Sequence, residues 1–255
     1  MASAAEQLAS HMNFGQLSKA TELKKRLWFT LGALIIYRLG TYIPLPGIDP
    51  NILQDIFQGQ AGGLLAVFDM FAGGAFGRMT IFALGIMPYI SASIIIQLMG
   101  AVLPYFQRLQ KEGEEGRKKI TQITRYGTVL IATMQAYGVS IFLESMTASV
   151  QGGVLQVVPN PGLLFKFTAI VSLVTGTILM MWMGERITER GIGNGISLII
   201  MVGIVSMFPN VVLAEITYIQ QGVRGFLSEV ILIGIMFVIV GFVVLLTQGT
   251  RKIPV

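Results

Sequence analysis

Six stretches of this 255-residue chain stay apolar for about the 20 residues that a helix needs to cross a bilayer's hydrocarbon core. They are residues 27–43, 79–103, 126–146, 163–183, 192–208 and 226–247. The expected class is therefore all-α, a polytopic bundle of membrane-spanning helices. The fourth and sixth stretches hold one charge each near an end, Lys166 and Glu229, whose long side chains can snorkel to the headgroups. The fifth is short and opens with Gly191, Gly193 and Gly195. Composition agrees with this class. Hydrophobic residues make up 53% of the chain and charged residues 12%, against about 25% in soluble domains. The mean hydropathy is +0.71. A disordered tail, a disulfide-stapled secreted domain and an ordinary soluble enzyme are excluded. With no Cys, and His11 as the only His, the chain offers no thiol nucleophile, no Cys-based metal site and no buried His base.

The charges set a direction. If the N-terminus is cytoplasmic, the inner segments are 1–26, 104–125, 184–191 and 248–255, and they hold fourteen of the eighteen Lys and Arg residues. The outer side holds Arg78, Lys166 and Arg224, and Arg38 lies within the first stretch. This is the positive-inside pattern, so the pI of 9.6 reads as membrane orientation, with nucleic-acid binding a poor second. Residues 1–26 lack the apolar core of a cleavable signal peptide. Residues 251–255 read as the opening of a loop, so the chain is expected to belong to a longer protein.

Three features exceed what an anchor needs. Residues 64–77 are apolar but too short to span, and Gly62, Gly63, Gly73, Gly74 and Gly77 flank them. Such a segment lies in the interface, re-enters the membrane or sits in a protein-lined cavity. Residues 82–97 carry Pro88 inside a stretch, expected to bend the helix, with Ser91, Ser93 and Gln97 at membrane depth. Helix packing accounts for these polar groups as readily as a water- or substrate-lined surface does. Gly191-Ile192-Gly193-Asn194-Gly195 has glycine spacing like that of a phosphate loop but lacks the Lys-Ser that would follow. It reads instead as a turn feeding a helix, with Asn194 as N-cap. Ile86 and Ile90, like Ile196 and Ile200, are four apart and share a helix face. Arg38 needs a partner or a route to water, and Tyr37, Thr41 and a carboxylate from another stretch are the candidates.

Long motifs then carry a resemblance. Tyr37-Arg38-Leu39-Gly40 with Ile43-Pro44-Leu45-Pro46-Gly47-Ile48-Asp49 resembles the end of the first helix of the SecY family, the channel subunits of bacterial protein translocation. Residues 71–97 resemble that family's plug and second helix. Lys111-Glu112-Gly113-Glu114-Glu115-Gly116-Arg117 and Thr124-Arg125-Tyr126-Gly127 are similar to its second cytoplasmic loop and third helix, and residues 184–200 to its fourth loop and fifth helix. The likeness covers about residues 20–255.

The resemblance implies a ten-span, pseudo-two-fold channel shaped like an hourglass. Residues 1–26 would be a cytoplasmic leader and residues 27–208 the first five-helix half. Residues 209–255 would supply an outer loop, the sixth span and the start of a cytoplasmic loop. By motif matching, Ile86, Ile90, Ile196 and Ile200 belong to the apolar ring at the waist. The plug maps to about residues 64–78, with Leu64, Leu65, Val67, Phe68, Met70, Phe71, Gly73 and Gly74. Such a ring disfavours water and ions when idle, and it can widen around any passing sequence because it makes no hydrogen bonds. Ser91, Gln97 and Gln135 are candidates for the lateral seam, through which hydrophobic segments would leave sideways, though packing explains them equally. Lys111, Arg117, Lys118, Lys119, Arg251 and Lys252 are candidates for docking cytoplasmic partners, or are solvated charge that sets orientation. The implied partners are the SecE and SecG subunits, the SecA motor ATPase, the ribosome, signal peptides and unfolded secretory or membrane proteins. The implied location is the bacterial cytoplasmic membrane. No cofactor and no catalytic step are expected, and the energy source lies outside this chain.

Half of a secondary transporter with inverted repeats is the main alternative. It calls for a coupling carboxylate deep in a span, whereas Asp69, Glu144 and Glu229 fall at or beyond the edges. An intramembrane protease lacks its Ser–His or paired-Asp arrangement. A purely structural subunit leaves the glycine-hinged segment without a role. The Cys-free background makes orientation directly measurable. Lys118→Cys should react with an impermeant maleimide only from the cytoplasmic side of intact membranes, and Asn160→Cys only from the opposite side. Labelling of both from one side would overturn the orientation.

Overall fold

The computed structural model describes residues 21–59, 69–70, 72–150, 153–222 and 225–248. It divides into two units, Met1–Ser206 and Met207–Val255. The leader residues 1–20, the plug candidates Leu64, Leu65, Val67, Phe68 and Phe71, and the docking candidates Arg251 and Lys252 lie outside the described residues.

In the first unit the order is α1 (Thr21–Gly40), α2 (Pro50–Gly59), α3 (Met87–Val102), α4 (Pro104–Lys111), α5 (Glu114–Ser145), β1 (Thr147–Val150), β2 (Gly153–Gln156), α6 (Leu163–Arg190) and α7 (Gly195–Val205). The two strands form a short antiparallel hairpin joining α5 to α6, with Thr147 opposite Gln156. The second unit holds α8 (Phe208–Gln220) and α9 (Phe226–Gln248). The fold is helical, as expected. Four helical segments among the described residues are long and apolar enough to cross a membrane, and a fifth is added if the bent pair α3–α4 counts as one. The six expected spans are therefore approximate. Helix α1 is outside that set because Lys24, Lys25, Arg26 and Arg38 fall within its 20 residues.

Three boundaries differ from the sequence reading. Pro88 does not kink a helix: it sits in the first turn of α3, where its missing N–H has no helical partner to lose. Residues 72–86 before it form successive turns in place of the expected start of the second span. Segment 104–125, expected to be a cytoplasmic loop, is helical for most of its length. After Val102 the chain bends by 98° into α4, and α5 begins at Glu114, well before the expected residue 126. Gly113, at φ +69°, makes the turn from α4 into α5, and Glu114 and Glu115 in the first turn of α5 suit the positive end of its dipole. The expected outer loop from residue 209 is likewise helical, as α8.

The turn segment 72–86 is held from both sides. Leu45 N–H donates to the Met79 carbonyl at 2.9 Å, and Ile81 N–H to the Ile43 carbonyl at 3.1 Å. Phe82 lies over Gly40 of α1, and the Ile81 carbonyl lies against Gly176 of α6, where a Cβ at either glycine would collide. Tyr37 stacks on Phe82 at 6.2 Å between ring centroids. On one side Leu45, Leu53, Met79, Leu143, Val157, Phe165 and Leu173 form a core beneath the amphipathic α2. On the other, Tyr37, Phe82, Ile86, Met180, Ile187 and Ile199 form a second core.

Helices α5 and α6 run antiparallel, with an ion pair at each end. Arg125 binds Glu185 with both carboxylate oxygens, at 3.0 and 2.6 Å. Lys166 meets Glu144 at 3.1 Å, and the same carboxylate accepts from Gly162 N–H at 2.9 Å. Lys166 is thus paired rather than simply snorkelled. In the second unit none of the described side chains is buried, and α9 is apolar on all sides.

Close approach of α6 and α7 depends on glycine. A Cβ on Gly195 would meet the Gly184 carbonyl and the Ile187 side chain. Gly138 on α5 has open space at the same point. Gly195→Ala should therefore lower unfolding stability in detergent by about 1–3 kcal/mol through overpacking. Gly138→Ala should raise it by up to about 1 kcal/mol through helix propensity. Equal effects of the same sign would contradict this packing.

Candidate functional site

The site begins with how two helices start. Ile86 occupies the N-cap position of α3, and its carbonyl accepts from Tyr89 and Ile90 N–H at 3.1 Å each. Asn194 caps α7, its Oδ1 accepting from Ile196 N–H at 3.0 Å and Ser197 N–H at 3.3 Å. The N-cap expected for Asn194 is observed. Gly195 N–H donates to Thr188 Oγ1 at 2.9 Å, which ties this start to α6. These caps put Ile90 and Ile196 in the first turns of their helices, with Ile200 one turn further on.

Both helix starts feed one apolar cluster. Ile86 is 5% exposed within it, and Ile90, Ile196 and Ile200 pack against it partly buried. Tyr37, Phe82, Met180, Met183 and Ile187 complete its walls. Ile199, 1% exposed, is the most buried side chain of α7 and was not singled out from the sequence. Its neighbours Ile196 and Ile200 are correspondingly less covered.

A cleft of about 660 Å³ opens beside this cluster, a size typical of binding pockets. Ile86, Ile90 and Ile200 line it together with Ser91 of α3 and Gln135 and Phe142 of α5. The structure therefore brings two of the three seam candidates to the isoleucines. Gln97 is apart from them: it is exposed and donates to Ser93 Oγ at 3.2 Å on its own helix. A mostly apolar wall carrying an isolated hydroxyl and amide suits an apolar occupant of loose specificity. Among the described residues no group of three or more His, Cys, Asp or Glu comes together to hold a metal ion.

Of the plug candidates, Met70, Gly73 and Gly74 are described. Asp69 shapes their turn: its carbonyl accepts from Gly74 N–H at 2.9 Å and its Oδ1 from Gly77 N–H at 2.6 Å. Burial pushes the Asp69 carboxyl above the usual carboxylate range, opposed by the Gly77 hydrogen bond and the Arg78 charge. Gly73 and Gly74 adopt φ of +65° and +80°, which only glycine takes without strain. Arg38 Nη1 donates to the Gly73 carbonyl at 3.0 Å. Among the described residues its side chain thus meets a backbone carbonyl in place of the expected Tyr37, Thr41 or carboxylate. Arg38 and Arg78 both approach the Tyr42 ring, at 5.7 and 4.5 Å from its centroid.

The described basic candidates Lys111, Arg117, Lys118 and Lys119 are all exposed. They lie on α4 and on the first turns of α5. The two segments are braced where the Leu109 carbonyl meets Gly116, and Lys119 adds a contact to Glu112 at 3.5 Å. The pairs Arg125–Glu185 and Lys166–Glu144 were missed from the sequence. Their signal was that opposite charges stand at the facing ends of consecutive apolar stretches.

The profile of the SecY family matches residues 80–255. The chain is 50% identical over 234 residues to the protein translocase subunit SecY of Escherichia coli (strain K12), covering 92% of this chain and 52% of that protein. Sec61 in the canine ribosome-channel complex from the endoplasmic reticulum has a similar fold, with a TM-score of 0.59 at 20% identity over 91% of this chain and 50% of that one. So does a SecY protein whose plug domain stabilises the closed state of the translocation channel and maintains a membrane seal, with a TM-score of 0.56 at 20% identity over 90% of this chain and 48% of that one. The chain thus spans about half the length of these relatives. The family profile accounts for most of its residues, and the chain belongs to the SecY family.

Proposed function

We propose that this chain supplies the first half, and the first span of the second half, of a protein-conducting channel. That channel would pass unfolded polypeptides across a membrane and release hydrophobic segments into it. The observation that carries the reading is the gathering of Ile86, Ile90, Ile196 and Ile200, from two helices, around one apolar cluster. A constriction lined only by such side chains excludes ions by dewetting and accepts any sequence.

The segment 64–78 serves as the plug, and Ser91 and Gln135 belong to the lateral seam. Gln97 has weaker support, since it bonds on its own helix away from the cleft. The cleft between α3 and α5 fits the apolar part of a signal peptide. Met87 on its wall suits varied partners, because methionine is unbranched and adaptable. Driving force comes from elsewhere, from SecA or a translating ribosome docked on the exposed Lys111 and Arg117 to Lys119, with Arg251 and Lys252 as further docking candidates. SecE and SecG are the expected companion subunits. The setting is the bacterial cytoplasmic membrane with the N-terminus inside. The transporter alternative draws no support from Glu144 or Glu185, which are engaged with Lys166 and Arg125 at helix ends.

Single cysteines at Ile86, Ile90, Ile196 and Ile200 of the complete channel test this reading. With a secretory precursor stalled in transit, all four should crosslink to it, and Leu98→Cys, on an exposed position of α3, should not. Continued export without crosslinks at any of the four positions would remove the pore assignment.

A further inference from the structure

We propose that Arg38 is the latch that holds the plug stem in its sealing position. This rests on the channel reading above. A guanidinium within a membrane-embedded helix must find an acceptor or reach water. Here the acceptor is the Gly73 backbone carbonyl, 3.0 Å from Nη1 and 35 residues further along the chain. Among the described residues no carboxylate oxygen lies within 4 Å of Arg38, so a turn of the stem takes the place that an ion-pair partner usually fills.

The carbonyl is aimed by its surroundings. Gly73 and Gly74 both have positive φ, and Asp69 ties the turn through Gly74 and Gly77. A Cβ at Gly73 would stand 2.9 Å from Gly203 Cα of α7 and 3.3 Å from Arg38 Nη1. Glycine therefore allows the stem to touch α7 and the guanidinium at once. The contact joins α1, the stem and α7, and α7 also carries Ile196 and Ile200. Movement of α7 that widens the waist removes the seat of the stem.

A carbonyl acceptor makes the latch releasable. A carboxylate would bind the guanidinium through both charge and hydrogen bonds, whereas a carbonyl offers the hydrogen bond alone. When the stem leaves, Arg38 is not stranded, because the Tyr42 ring stands 5.7 Å away. Arg78 approaches the same ring at 4.5 Å, and the like charge keeps that resting place from competing strongly with Gly73.

The test uses the complete channel with its companion subunits, reconstituted in a planar bilayer, with resting ion leak read in the absence of substrate. Arg38→Gln should raise the leak about tenfold or more, the effect of losing a hydrogen bond to a charged donor. Arg38→Lys should fall between it and the parent. In a channel lacking residues 64–78, Arg38→Gln should add nothing. An unchanged leak in Arg38→Gln while the plug deletion leaks would overturn the latch and leave the channel reading intact. An added leak in the plug-deleted background would overturn it too, by placing Arg38's action at the waist. Precursor export by the same preparation separates loosening from misfolding: the latch requires that Arg38→Gln still exports, and loss of export makes Arg38 structural. If neither the parent nor the plug-deleted channel conducts ions or exports a precursor, the channel reading falls and the latch with it.

Discussion

Backbone that is not helical must have its N–H and C=O groups satisfied by protein when water is absent, and residues 72–86 impose that demand on the whole first unit. Their turns leave donors and acceptors that no helix ladder serves. Residues 43–45 take up two of them, Asp69 takes up two more, and the Ile81 carbonyl is enclosed against Gly176. The glycines of α1 and α6 are where they are because a side chain there would push the helices off this segment. Both apolar cores flank it, so the path of 72–86 decides which residues of α1, α3 and α6 face inward.

The ion pairs between α5 and α6 set alignment more than stability. The two ion pairs between α5 and α6 sit at opposite ends of an antiparallel pair and fix its register. Arg125 and Glu185 meet in a two-pronged geometry that lysine could not reproduce. Its side chains remain partly exposed, 46% and 16%, so its energetic weight is that of a surface pair, about 1 kcal/mol or less. Asn194 does similar work for α7, giving Ile196 and Ile200 a defined starting angle.

Much of this was readable in the residues. Apolar run length identified the helical membrane class, the four-residue spacing paired the isoleucines, and Asn194 was recognised as a cap. Other points were hidden by rules that depend on context. Pro88 in an apolar run reads as a kink, yet the same residue is well placed in a first turn, and only the conformation of residues 72–86 separates the two. Residues 104–125 looked like a loop because they are charged, but α4 and the start of α5 are charged helices with one covered face around Phe106, Leu109 and Ile123. Arg38 was seen to need a partner. A backbone carbonyl 35 residues away carries no sequence signature, since every residue has one.

Helix α5 is 32 residues long, about 48 Å at 1.5 Å per residue, whereas a hydrocarbon core is about 30 Å thick. One end of it must stand clear of the lipid like the handle of an oar. Its blade half is bound to α6 at two points, and its handle is stiffened by α4 wedged at Gly116. Torque applied to that exposed end would therefore be carried into the α5–α6 pair. The wall of the cleft that carries Gln135 and Phe142 belongs to that same helix, while α3 forms the opposite wall, joined to α4 across the 98° elbow.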